Sequence, residues 1–277
     1  MNSEPLTFPL EGTSVLLPSS PYPPTASRIG LVPAVISEGP EGGAWDCVLK
    51  RVYHRCHSPV VNACRLSSVP PEFLAALTVL ESGGDPNLIR FEPGVYRHLQ
   101  AVANGESPAY STVASGAFGT ESEERLHPKA VEVHTLHLTA DFSARHGEQL
   151  AGMDDRALRE LASSWGCTQI MGYHMLVRRG AVRDLLDPAF HYHVALQLLA
   201  EYAFDYQLDV TCEFEELFRC WNTGRPYSST ADPDYVDRGL ELMKLYRRFW
   251  HEEPSLAESE FQNRDGSPNR ATRKQGS

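Results

Sequence analysis

The sequence predicts a mainly α-helical domain, helices around a central buried helix, with a small strand-containing insertion. Three observations lead there. Apolar residues recur at helical spacing in several segments whose ends carry recognisable caps. Two-residue alternation is confined to one short stretch. A chain of 277 residues, 42% of them hydrophobic, supplies enough apolar surface for one good-sized core.

Residues 1–44 contain eight prolines among Ser, Gly and short apolar pairs, without a sustained period, and read as an extended arm. Pro70 and Pro71 open a run with Phe73, Leu74, Leu77 and Leu80 on one face, and Gly83-Gly84 end it. A helix is expected over Asp155 to Ala162. Asp187-Pro188 reads as an N-cap with proline at the first helical position; Val194, Ala195, Leu198, Leu199 and Tyr202 then share a face, as a buried central helix requires. Phe214, Leu217, Phe218 and Trp221 follow the i, i+3, i+4, i+7 rule, and Asp232-Pro233 starts a run from Tyr235 to Trp250. Between residues 105 and 145, Val131, Val133, Thr135 and His137 alternate with Glu132, His134 and Leu136, which predicts one or two short strands in the insertion. The polar stretch 253–277 reads as a disordered tail, leaving 45–252 as the folded domain.

Charge and composition exclude several function classes. A net charge of −11 and a pI of about 5.5 argue against nucleic acid as a partner. No stretch approaches the roughly 20 apolar residues of a membrane span, and Met1 to Pro18 lacks a basic lead and an apolar run for secretion. The location of action is left open, with synthesis in the cytoplasm and release without a classical signal compatible with the chain. Six cysteines without an oxidising address fit free thiols. Cys47, His54, Cys56, His57 and Cys64 have no Cys-x-x-Cys pair and fit no common zinc spacing, so no metal and no cofactor is expected. His191 and His193, two apart on a helix, face different ways and are poor joint ligands. No glycine-rich phosphate loop stands between a strand and a helix.

Chemistry concentrates in three segments. Glu81 sits in Leu80-Glu81-Ser82-Gly83-Gly84, at the tail of an apolar helix. Apolar neighbours and the negative helix end both push its pKa up, as a proton donor to a poor leaving group needs. The plain alternative is a solvated glutamate ahead of a C-cap glycine. Ser163-Ser164-Trp165-Gly166-Cys167-Thr168-Gln169-Ile170-Met171-Gly172-Tyr173 mixes aromatic, small and amide residues, as a sugar site does, although a loop packing a tryptophan reads the same. Cys220-Trp221-Asn222-Thr223-Gly224 closes an apolar helix.

In this order the three segments resemble the lysozyme superfamily, specifically lytic transglycosylases and the N-acetylmuramidase family of phage endolysins, over roughly Val69 to Phe249. Arg90-Phe91-Glu92-Pro93-Gly94-Val95-Tyr96 is similar to that family's Phe-Glu segment. The resemblance implies a lysozyme-like α+β fold and cleavage of the β-1,4 linkage between N-acetylmuramic acid and N-acetylglucosamine in peptidoglycan strands. It also implies Glu81 as general acid, with Ser82, Trp165, Gln169, Met171, Tyr173 and Asn222 along the glycan. For a second catalytic carboxylate Asp85 and Glu92 are the candidates, and Glu92 lies in the matching segment; failing both, the substrate's N-acetyl group attacks. Departures at Cys167-Thr168 and Cys220-Trp221 support the alternative of a non-catalytic glycan-binding module on the same fold.

Overall fold

Ten α-helices, two short 3-10 helices and three short strands occur in the described part of the chain, residues 43–115 and 128–264 of a computed structural model. The arm expected over 1–44 lies almost wholly outside the described residues, as does the end of the expected tail; the last helix continues to Arg264. Helices α1 (Gly43–Cys64), α2 (Pro71–Ser82), α8 (Pro188–Tyr206), α9 (Phe214–Thr223) and α10 (Tyr235–Arg264) enclose one hydrophobic core. Helices α3 (Pro93–Ala103), α4 (Tyr110–Ser115), α6 (Ala140–Ala151) and α7 (Asp155–Leu161) enclose a second, smaller one. Among the described residues no helix is long and apolar enough to cross a membrane.

Local signals account for the helix ends. Asp187 accepts from the Phe190 N–H at 3.0 Å, with Pro188 at the first helical position. Asp154 caps α7 through the Ala157 N–H at 2.7 Å, and Gly224 closes α9 in the left-handed region. The helix enclosed on every side is α2, in which every residue from Phe73 to Val79 is buried; α10 and α1 pack against it. This corrects the reading of α8 as the central helix: α8 buries one face only, from His191 to Tyr202, and leaves Phe204 and His193 outside.

A second correction concerns the alternating stretch. Residues 128–137 form helix α5 (Pro128–His137), not strands. Pro128 suits a first helical position, and His134 in the helix and Leu138 just past its end are both buried. Branched residues at 131, 133 and 135 had imitated a strand. The actual sheet is antiparallel, in the order β1 (Ile89–Phe91), β2 (Ser163–Trp165), β3 (Ile170–Met171), with Arg90 opposite Ser164 and Ser164 opposite Met171. It joins the two cores: Trp165 and Ile170 belong to the larger, Met171 and Tyr173 to the smaller.

The smaller core contains an uncompensated polar group. His98 is fully buried, and neither ring nitrogen has a hydrogen-bond partner. Tyr110 and Phe142 face its ring at 5.9 and 6.1 Å. An unpaired buried polar group costs about 1–3 kcal/mol. His98→Phe is therefore expected to stabilise the protein by about 1 kcal/mol, as a higher thermal melting midpoint at pH 7. A lower midpoint would indicate that the ring volume, not the nitrogens, decides the site.

Candidate active site

Glu81 is carried to the end of α2, where Gly83 and Gly84 turn the chain through the left-handed region at φ of 59° and 83°. Gly84 also lies against α1: a Cβ there would stand 2.5 Å from Val52 Cγ2. The turn thus holds the helix end close to the core and leaves Glu81 half-buried. Across from it, at the first turn of α10, the Tyr235 hydroxyl donates to Glu81 Oε1 at 2.5 Å. Burial raises the Glu81 pKa above the ordinary carboxylate value, and this outweighs the Tyr235 hydrogen bond and the positive charge of Arg90, which both lower it.

Arg90, in the middle of β1, links the candidate carboxylates electrostatically. Its Nε bonds Glu92 Oε1 at 2.8 Å while its charge acts on Glu81 and on His134. Glu92 is the residue that precedes α3, and its N–H donates to Ala162 O at 2.9 Å. Its carboxylate, 15% exposed, is thus engaged by a guanidinium and lies at a helix N-terminus that favours negative charge. Asp85 is exposed and accepts from the Asn87 N–H at 2.9 Å, an ordinary turn contact.

The motif that follows α7 behaves differently from its sequence reading. Trp165 is 2% exposed, and its indole donates to Glu160 O, so it offers no ring face to a sugar. Gln169 is buried at a positive φ of 56°, and its amide is used internally. Ser164 Oγ donates to Gln169 Oε1 at 2.9 Å, and Gln169 Nε2 donates to Gly166 O at 2.9 Å and Leu88 O at 3.2 Å. Gln169 thus ties the β2–β3 turn to the start of β1. Met171 and Tyr173 are buried in the smaller core, where the Tyr173 hydroxyl bonds His134 Nδ1 at 3.1 Å. Ser82 Oγ donates to Thr78 O and accepts from the Gly84 N–H, which serves the turn. These five side chains are corrected from glycan contacts to scaffold, because the groups assigned to sugar are buried or already satisfied. Asn222 remains half-exposed at the end of α9 and accepts from the Ala231 N–H at 3.4 Å.

If Gln169 is scaffold, Gln169→Ala should destabilise the protein by about 1–2 kcal/mol, since it removes three internal hydrogen bonds, to Ser164 Oγ, Gly166 O and Leu88 O. Denaturant unfolding measures this. Unchanged stability with weakened glycan binding would restore the contact role.

Tyr235 and Arg90 complete the constellation, although neither stood out as a functional residue in the sequence. Tyr235 registers there only as one apolar position of an amphipathic run. The zinc-like residues lie along α1, with Cys47 exposed, Cys56 and Cys64 buried, and His57 bonded to the Tyr246 hydroxyl at 2.7 Å. Among the described residues no group of three or more His, Cys, Asp and Glu could hold a metal ion, and all six cysteines are free thiols. A concavity of about 790 Å³ along α8, lined by Val177, Arg178, Phe190, His193, Gln197 and Phe204 among others, includes none of Glu81, Arg90, Glu92 and Tyr235.

Together, then, lie a carboxyl whose pKa is raised by burial, a tyrosine that bonds it, and an arginine-paired carboxylate. No family model, curated protein or solved structure matches the chain.

Proposed function

We propose that the protein cleaves the β-1,4 linkage between N-acetylmuramic acid and N-acetylglucosamine in bacterial peptidoglycan, with Glu81 as general acid, on a lysozyme-like scaffold. The observation that carries this reading is the half-buried Glu81 carboxyl at the end of α2, raised in pKa and oriented by Tyr235. With Oε1 accepting from Tyr235, the proton is placed on Oε2, for delivery to the glycosidic oxygen as the bond to the anomeric carbon breaks. Because Glu92 is held by Arg90 and Asp85 by its own turn, the reading assigns the attack on that carbon to the carbonyl oxygen of the substrate's N-acetyl group. Release then follows by water or by the sugar's own 6-hydroxyl, as in lytic transglycosylases.

A non-catalytic glycan-binding module is the second reading. It is favoured by the engagement of both candidates for a second catalytic carboxylate, Glu92 by Arg90 and Asp85 by its own turn. Digestion of purified peptidoglycan, with mass spectrometry of the released muropeptides, separates the two. Reducing or anhydro ends must appear with the wild type and not with Glu81→Gln; saturable binding without product establishes the module instead.

A further inference from the structure

Two of the buried cysteines meet in the larger core. Cys56 in α1 and Cys167 in the β2–β3 turn are each 1% exposed. The Cys167 thiol hydrogen-bonds the Cys56 sulfur, and the Tyr192 hydroxyl of α8 bonds both. Tyr192 is itself fixed by Thr78 of α2, whose hydroxyl lies 2.9 Å from its own. Four elements thus converge on one pair of sulfurs. The other buried thiols, Cys64 and Cys220, are set differently: burial first, then a nearby glutamate, Glu72 or Glu216, pushes each up to about 12.

We propose that Cys56 and Cys167 form a modification site, joined into a disulfide by hydrogen peroxide, which staples α1 to the β2–β3 turn. The Cys56 thiolate attacks one peroxide oxygen and the O–O bond breaks. The hydroxide released takes up the proton that Cys56 had lost and leaves as water, and Cys56 becomes a sulfenic acid. The Cys167 sulfur, giving up its proton, then attacks the Cys56 sulfur; the S–O bond breaks, and the hydroxyl leaves with that proton as a second water. Both thiols are oxidised, and the peroxide is reduced to water.

The contact between the sulfurs assigns their roles. Accepting from Cys167 lowers the Cys56 thiol to about 7 in spite of its burial, with Tyr192 and the charge of Arg55 acting in the same sense, so its thiolate is populated at neutral pH. Cys167, the donor, is raised, which makes it the resolving thiol. A disulfide places its sulfurs about 2 Å apart, so thiols already in hydrogen-bond contact need only a small rotation. Hydrogen peroxide is scarcely larger than water and reaches the pair through local opening of the core. Both anchors adjoin supports of Glu81. Val52, one turn before Cys56, lies against Gly84, and Cys167 precedes Thr168 and Gln169, which bond His191 and Leu88 O. The pair needs no substrate at Glu81 and so stands apart from the peptidoglycan reading.

In the test, full-length wild type is treated with hydrogen peroxide, its remaining thiols are alkylated, and a peptide digest is mapped by mass spectrometry. The expected product joins the peptides of Cys56 and Cys167 and is separated by dithiothreitol. These residues stand 111 positions apart, and closing so long a loop in the unfolded chain is expected to raise the melting midpoint by about 5–10 °C, reversed by the same reductant. Cys167→Ser is expected to abolish both the link and the shift, leaving at Cys56 a sulfenic acid that dimedone traps. Cys56→Ser is expected to leave Cys167 reduced. Should a serine variant fail to fold, the wild-type map and melt decide the matter alone. Recovery of Cys56 and Cys167 as alkylated thiols, while the exposed Cys47 and Cys212 are oxidised, overturns the proposal. So does a link from either residue to any other cysteine, or a midpoint that falls when the link forms.

Discussion

Glu81→Gln is expected to lower muropeptide release by about a thousandfold while the fold persists, the loss typical of removing a positioned general acid. Glutamine keeps the shape and can still accept from Tyr235, so only the proton is lost. Circular dichroism and the initial rate of muropeptide release, measured on the same preparation, distinguish this from unfolding. Equal rates for the two proteins would remove Glu81 from the mechanism. A stability change accompanies the loss. A buried carboxyl whose pKa is raised on folding destabilises the native state as pH rises from its unfolded value through the folded one. The glutamine variant carries no such charge, so its melting advantage over wild type should be larger at pH 8 than at pH 4. Tyr235→Phe supplies the complementary result. Tyr235 lowers the Glu81 pKa, so its removal should move the alkaline limb of the kcat/KM profile to higher pH, with about a tenfold loss of rate from poorer orientation.

The second large effect is acid lability. Burial lowers His98 to about 4, His134 to about 3, His137 to about 4 and His191 to about 4, and holds His174 well below the ordinary range. A histidine with a depressed folded pKa is protonated in the unfolded chain first, so its contribution is complete above pH 6.5 and lost as pH falls toward the folded value. Each costs about 1.4 kcal/mol per pH unit over that window. The four with defined values act in the same sense, so stability falls steeply as pH drops from 6.5 toward 4. The structure shows what protonation breaks. His191 Nε2 accepts from the Thr168 N–H at 2.9 Å, while its Nδ1 faces Leu185 O at 2.9 Å, so the added proton must displace Thr168. His134 meets the Tyr173 hydroxyl, and His137 meets Tyr202 and packs edge-on against His174 at 4.9 Å. Cooperative unfolding near pH 5 is the expected result, followed by far-ultraviolet dichroism, and His98→Phe should shift its midpoint to lower pH. A protein that stays folded to pH 3 would contradict the burial of these rings.

Much of the helical frame was legible because its signals are local. Pro71, the Asp187-Pro188 pair, Gly83 and Gly224 act within a turn of their own position, and the apolar spacing of residues 214–221 needs no knowledge of the partner surface. The insertion was misread because branched residues at 131, 133 and 135 suit a strand, whereas burial of His134 and Leu138 favours a helix. The actual strands are three residues or shorter, too brief for any alternation to register.

By itself, then, the sequence determined a helical domain with a glutamate at the end of its most apolar helix, because capping and periodicity depend on near neighbours. Tertiary structure alone decided what surrounds that glutamate: a tyrosine 154 positions away, an arginine paired with Glu92, and a tryptophan and glutamine turned inward. Exposure and pairing depend on which surfaces meet when the elements pack, and residue order along the chain does not specify that.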